Sequence, residues 1–309
     1  MKTPLFQRVA FLGMGLIGSS LALALRHNGL AAEITATARS AETRAKALEL
    51  GLADKVFETP AQTVAGAEVV VLAAPVSTYA SLAEAMGPAL APGAIVTDVG
   101  SVKVAVIKDV APSLPSNVHL IPGHPVAGSE RSGPEAGFAE LFENRYCILT
   151  PPPGTNVTAL GRLAALWEGV GAKVECMDAD HHDKVLAITS HLPHLIAYTI
   201  VGTATDLEED LQAEVIRYSA GGFRDFTRIA ASDPIMWRDV FLSNREAVLE
   251  MLQRFSEDLT ALQRAIRRGE GETLEARFRQ TRAIRQSIVE AGQAGRFDPR
   301  EPGGGDTEG

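Results

Sequence analysis

The sequence predicts an α/β fold: a doubly wound, mostly parallel sheet in the N-terminal part, followed by an all-helical C-terminal domain. Three observations predict it. From residue 7 to about 177, short β-branched runs alternate with alanine-rich helical stretches, the pattern of βαβ units. A glycine cluster, Gly13 to Gly18, sits at the first strand–helix junction. After Met177 the strand signals stop and long helical patterns take over. With 309 residues, 46% of them hydrophobic, the chain is long enough for two domains.

The expected strands, in order, are Arg8–Leu12, Glu33–Ala38, Glu68–Ala73, Ala94–Val99, Val118–Ile121, Tyr146–Thr150 and Lys173–Cys176. Several are almost wholly apolar, as strands covered on both faces must be. Helical patterns fill the gaps, among them Leu16–His27, Ala41–Leu50, Ser77–Leu90 and Thr155–Val170. Asp178–Arg217 and Pro234–Ala291 read as long helices. Within the second, Leu249, Leu252, Phe255, Leu259, Leu262 and Ile266 recur at spacings of three and four. That apolar stripe needs a partner surface, either within the chain or on a second copy. The expected division is residues 1–177, residues 178–294, and a disordered tail, residues 295–309, with two prolines and three consecutive glycines.

The opening strand–turn–helix carries the first chemical signal. Four apolar residues, Val9–Leu12, run into Gly13, Met14, Gly15, Leu16, Ile17 and Gly18. In a dinucleotide site of the Rossmann type, Gly13 permits the tight turn and Gly15 lets backbone approach a pyrophosphate. Gly18 lets the helix pack closely on the strand. The phosphates then meet the unpaired N–H groups of a helix N-terminus. Ala74, Pro75 and Val76 are assigned to the same cofactor site. In the NAD version of the fold an acidic residue ends the second strand; here Ala38 holds that position, followed by Arg39 and Ser40. A missing carboxylate and an added guanidinium favour a 2′-phosphate, so NADP is the expected cofactor, with NAD possible. Arg39 stacked on the adenine face is the alternative.

Charge and composition exclude other classes. A net charge of −9 speaks against nucleic acid or an anionic membrane as main partner. The N-terminal MKTPLFQR lacks an apolar signal region, and no apolar run approaches the ~20 residues that span a bilayer, so a cytoplasmic protein is expected. Cys147 and Cys176 lie far apart in strand-like runs and read as core residues. Asp178, Asp180, His181, His182 and Asp183 read as a capped helix start, not a metal cluster.

Polar residues cluster in three places the fold does not demand: TDVGSVK (Thr97–Lys103), PGHPVAGSE (Pro122–Glu130), and SHLPHLIAY (Ser190–Tyr198) with Gly221–Asp239 beyond it. The first two close expected strands, and the carboxyl ends of parallel strands are where such sheets bind ligands.

The ordered set GMGLIG, DVGSVK, GHPVAGSE, SHLPH, GGFRDFTRIA and DPIMWRD resembles the prephenate/arogenate (cyclohexadienyl) dehydrogenases of tyrosine biosynthesis, over roughly residues 7–290. The resemblance implies a dinucleotide domain followed by a helical domain that forms a homodimer. It also implies oxidative decarboxylation of prephenate or arogenate with hydride transfer to NAD(P)+. On the matching positions, His124 is the catalytic histidine and Ser101 the serine that hydrogen-bonds both it and the substrate hydroxyl. Substrate contacts fall to Ser129, His194, Arg228 and Trp237, with His191 less favoured than His194. Glu130 and Asp225 stand with the arginine as entrance or gating residues. No metal is implied. Lys103 is assigned a structural or phosphate-neighbouring role.

Two other functions compete. Hydroxyacid dehydrogenases of the wider superfamily rely on a lysine in the helical domain, and residues 179–216 offer only Lys184, away from SHLPH. A non-catalytic dinucleotide-binding regulator has no use for Ser101, His124, His194 and Arg228 together.

Overall fold

The computed structural model describes residues 3–129, 131–205, 217–218 and 220–290. The expected disordered tail and Glu130 lie outside the described residues. The main sheet has six strands, all parallel: β1 (Phe6–Leu12), β2 (Ala31–Thr37), β3 (Lys55–Val56), β4 (Val69–Leu72), β5 (Ile95–Asp98) and β6 (His119–Leu120). Their order, β3-β2-β1-β4-β5-β6, reverses direction at β1, which pairs with both β2 and β4. That reversal places a crevice at the carboxyl end of β1, directly after Leu12.

Alternation along β1 builds a core on each face. Phe11 joins Leu21, Leu25, Phe142 and Trp167 on one side, while Ala10 and Leu12 join Val70, Leu72, Tyr79 and Met86 on the other. Helices α1 (Leu16–His27), α2 (Ala41–Glu49), α3 (Pro60–Val64), α4 (Tyr79–Met86) and α5 (Val104–Val110) follow their strands in order. Burial on both faces is why the strands are almost uniformly apolar, each large side chain contributing about 1.5–3 kcal/mol.

The structure departs from the sequence reading in five places. Tyr146–Leu149 (β8) and Lys173–Cys176 (β9) do not extend the main sheet. With β7 (Gly123–Pro125), a strand too short to show a period, they form a separate sheet in which β7 runs antiparallel to β8. Helix α6 (Val157–Gly169) joins β8 to β9. Cys147 is buried as expected, but Cys176 is exposed, because β9 is an edge strand whose residues mostly face outward.

The helical part differs too. Ala179–Thr205 is one helical run, α7 (Ala179–Leu186) and α8 (Leu192–Thr205) joined by a wide turn at Ala187–His191. The wide turn comes two residues before Pro193, whose missing N–H removes a helical bond. By length and composition this run of 27 residues passes for a membrane span, an 18-residue window within it having a mean hydropathy of 1.4, contrary to expectation. Its polar side chains His182, Asp183 and His191 are nonetheless buried within the protein.

The expected Pro234–Ala291 helix is three helices, Pro234–Ser243, Arg245–Arg268 and Gly271–Glu290, broken at Asn244 and at Gly269, whose φ is +68°. Contacts divide the chain into two compact units, Met1–Val248 and Leu249–Gly309. In the second, Leu249, Leu259 and Ile266 of the apolar stripe are all more than half exposed, while Leu252, Phe255 and Leu262 are half-buried.

Candidate active site

The glycine turn has the geometry its sequence requires. Gly13 stands at φ +112°, and a Cβ there would lie 2.4 Å from the Ala73 carbonyl oxygen. At Gly18 a Cβ would lie 2.7 Å from the Gly13 carbonyl oxygen, so α1 and the turn touch through backbone alone. Gly15 is the N-cap of α1, makes no side-chain cap, and borders open space. Donors at the helix start that no side chain caps, beside an open approach, suit a pyrophosphate.

At the end of β2, Ser40 caps α2: its hydroxyl accepts from the Thr43 N–H and lies 2.8 Å from the Thr43 hydroxyl. Arg39 is exposed at this turn. Arg44, which the sequence reading passed over, donates to the carbonyls of Ala38 (2.8 Å) and Arg39 (3.2 Å). It pins the turn that presents Arg39.

Strand β7, packed against β5, buries His124 to 7% exposure. Its Nδ1 is 2.8 Å from His182 Nε2, and His182 Nδ1 is 2.8 Å from Asp183 Oδ1. Both oxygens of Asp183 also accept backbone N–H groups at the start of α5, from Lys103 (2.8 Å) and Val104 (3.0 Å). Asp183 is therefore an acceptor, and the protons of the chain follow. His182 donates from Nδ1 and accepts at Nε2; His124 donates from Nδ1 and keeps a lone pair on Nε2. Burial holds His124 well below the ordinary histidine range, with His182, Lys103 and His191 adding to the effect. His182 is lowered too, burial outweighing the raising effect of Asp183.

The hydrogen bond of the His124 ring is thus to His182. Among the described residues none joins it to the hydroxyl of Ser101, which is half-buried in the loop after β5. Beneath both residues lies a fully buried ion pair. Lys103 Nζ is 2.5 Å from Asp98 Oδ2 and 2.6 Å from the Gly123 carbonyl oxygen. Asp98 accepts from the N–H groups of Gly100 (2.8 Å) and Gly123 (3.1 Å).

The helical side supplies the remaining expected residues. His194 stacks on Trp237 with centroids 3.6 Å apart, and its Nδ1 is 2.9 Å from the Ser190 carbonyl oxygen. Burial lowers His194, the bond to Ser190 offsets part of this, and the charge of the Arg228 guanidinium lowers it further. Arg228 and Asp225 are exposed, one turn apart at the end of helix Gly221–Thr227. His191 is fully buried, takes a bond from Asn244 Nδ2 (3.1 Å), and is pushed down to about 4, mainly by burial. Trp237 packs against the core under α4 and α5. Ser77, next to Val76, donates to Asp239 at 2.5 Å, tying the loop after β4 to the Trp237 helix. Ser129 is exposed beyond β7, where its hydroxyl accepts from the Arg131 N–H at 3.2 Å.

Sequence reasoning missed His182–Asp183 as part of the site and left Asp98–Lys103 outside the chemistry. A signal was present for Asp98 and Lys103, charged residues within a run otherwise apolar enough to be buried, but not for His182 and Asp183 in the polar stretch DADHHDK. Among the described residues no group of histidine, cysteine and carboxylate side chains is arranged to hold a metal.

The nucleotide-binding domain model of prephenate dehydrogenase matches residues 21–176, and the dimerization domain model of the same family matches residues 178–280. A cyclohexadienyl dehydrogenase of Zymomonas mobilis is 41% identical over 283 residues, covering 92% of this chain and 96% of the relative. A prephenate dehydrogenase of Bacillus subtilis is 35% identical, over 89% of this chain and 74% of its own. Among solved structures, Aquifex aeolicus prephenate dehydrogenase in complex with hydroxyphenyl propionate and NAD+ superposes with a TM-score of 0.85. It is 34% identical and covers 93% of this chain and 99% of its own.

Proposed function

This chain belongs to the prephenate dehydrogenase family, NAD(P)-dependent oxidoreductases of tyrosine biosynthesis, and we propose that His124 is the base of its oxidative decarboxylation. The substrate is prephenate, arogenate or both, and the product 4-hydroxyphenylpyruvate or tyrosine. The observation that carries the assignment is the His124–His182–Asp183 chain, which leaves a neutral imidazole with its Nε2 lone pair unused.

The dinucleotide, when bound, accepts hydride from the ring carbon that bears the hydroxyl. Gly13, Gly15, Leu16, Ile17 and Gly18 would hold its pyrophosphate, with Ala74, Pro75 and Val76 bordering the same crevice. The fit rests on the open approach at Gly15 and the close packing at Gly13. The protein's own residues govern the proton and the charges. His124 accepts the hydroxyl proton as that carbon becomes a carbonyl. Ser101 hydrogen-bonds the same hydroxyl. Arg228 binds a substrate carboxylate as a charge-assisted fork, with Ser129, His194 and Trp237 as further contacts. Glu130 and Asp225 stand with Arg228 at the entrance and gate it.

The finer assignments belong to the same proposal. NADP is the preferred cofactor, because Ala38 offers no carboxylate to repel a 2′-phosphate and Arg39, Ser40 and the Thr43 hydroxyl surround its position. The nucleotide domain ends at residue 177 and the helical domain runs over 178–294. The exposed stripe of Leu249, Leu259 and Ile266 is covered by a second copy in a homodimer. The enzyme works in the cytoplasm.

Replacing His124 by Asn tests the central claim. Turnover is expected to fall roughly 10²–10⁴-fold with little change in KM, and the acid limb of kcat to disappear. Wild-type turnover with an unchanged pH profile rejects the assignment.

A further inference from the structure

The Asp98–Lys103 pair is the one fully buried ion pair described in the molecule, and the reaction as proposed makes no use of it. Neither charge reaches solvent. Such pairs are expensive: an apolar pair of the same volume is usually as stable or more so, so stability alone does not explain its presence. Its hydrogen bonds point elsewhere. Asp98 Oδ1 accepts from the Gly123 N–H, and Lys103 Nζ donates to the carbonyl of the same residue, at 3.1 and 2.6 Å. Asp98 Oδ2 also holds the Gly100 N–H, and the Lys103 N–H is held by Asp183 Oδ1, the oxygen that faces His182. Gly123 precedes His124 and Gly100 precedes Ser101. A Cβ on Gly123 would lie 3.1–3.3 Å from Asp98, Thr97 and Leu149, so the seat is tight as well as bonded.

We propose that Asp98 and Lys103 are positioning residues: their ion pair grips residue Gly123 at its N–H and at its carbonyl and sets where the His124 ring stands against the substrate hydroxyl. The proposal rests on the reading of His124 as the base. The Lys103 ammonium has a second consequence, since a fixed cation nearby opposes protonation of the imidazole. The groups that face His124 are His182 from α7, His191 from the wide turn, Lys103 with Asp98 from the β5–α5 loop, and Cys147 from β8. Burial keeps Cys147 a neutral thiol, and His182 and His191 are held neutral by burial too, leaving Lys103 as the cation of the set.

The test compares Lys103→Met with the double variant Asp98→Asn/Lys103→Met. The single change leaves a buried carboxylate without its partner and is expected to unfold much of the protein. The neutral pair conserves volume and is the variant to assay. In it, kcat should fall on the order of 10²-fold, the cost of a base displaced by about an ångström. NADP affinity, read by fluorescence titration, and substrate KM should stay within about twofold, and the acid limb of kcat should move to higher pH. Added to His124→Asn, the double change should cost no further kcat. A folded double variant with wild-type kcat and pH limb overturns the clamp while leaving His124→Asn informative about the base. If His124→Asn turns over like wild type, the base assignment fails first. Should the double variant not fold, Asp98→Asn alone decides, because a buried Lys103 can shed its proton: a folded variant with kcat lowered at least tenfold and substrate KM unchanged supports the proposal, and wild-type kcat overturns it.

Discussion

His124 Nδ1 lies 2.8 Å from His182 Nε2, so the proton state of the first ring is written into the second. The two residues are 58 positions apart, on different elements, and meet almost edge to face with centroids 5.1 Å apart. Because Asp183 accepts at both oxygens, His182 has one tautomer that satisfies the chain, and His124 follows it. Replacing His182 by Asn should free the His124 ring to flip and to change tautomer. The expected loss in kcat is roughly 10–10²-fold, smaller than the 10²–10⁴ of removing a base itself. Substrate KM should hold. A kcat unchanged from wild type in the folded variant removes His182 from the reaction.

Burial lowers the proton affinity of His194, which stacks on Trp237, and the charge of the Arg228 guanidinium lowers it further. Arg228→Ala should therefore weaken substrate binding more than chemistry. Cutting one side of a hydrogen-bonded charge pair typically costs ~2–5 kcal/mol, so KM for prephenate should rise by more than tenfold. The dinucleotide dissociation constant should barely move. An unaltered KM with intact fold makes the arginine structural.

Cofactor choice turns on two adjacent positions. Arg39→Ala should raise KM for NADP and leave NAD almost unaffected, and Ala38→Asp should reverse the preference by repelling the 2′-phosphate. Arg39 is exposed, so the contact is screened and NADP affinity should fall with added salt. A wild-type kcat/KM higher for NAD than for NADP refutes this, without touching the dehydrogenase assignment.

The buried histidines make stability depend on pH. His124, His182, His191 and His194 all have folded proton affinities below the ordinary value, burial being the first cause in each. The unfolded chain thus binds more protons below pH ~6.5, and stability falls as pH drops through that value. For His191, lowered to about 4, the full loss between pH 6.5 and 4 is ~3 kcal/mol. Urea denaturation at pH 7.5 and pH 5 should show the decline, and His191→Asn should flatten it. Keeping the lower point at pH 5 stays above the range where Glu33, Asp54 and Glu68, held low by their partners, begin to titrate. Equal stability at the two pH values contradicts the neutral, buried state of these rings.

The sequence by itself determined what depends on neighbours along the chain. A β-branched run, a glycine turn and an apolar helix specify β1, Gly13–Gly18 and α1 through local sterics alone, and Gly13 has the positive φ its place implied. The same holds for the order of the parallel strands' elements and for the cap at Asp178, whereas Ser40, read only as a cofactor contact, also caps a helix. What only the tertiary structure decided depends on which segments meet. The three residues of β7 carry no period to read, yet pairing with β8 seats His124. Whether a histidine in an acidic helix start faces water or another histidine is invisible in ADHHDK, because position on a helix does not say what packs against that face. Burial then settles the chemistry: it pushes Asp98 up and Lys103 down, each opposed by the charge and hydrogen bond of the other, and makes His124 a neutral ring at neutral pH.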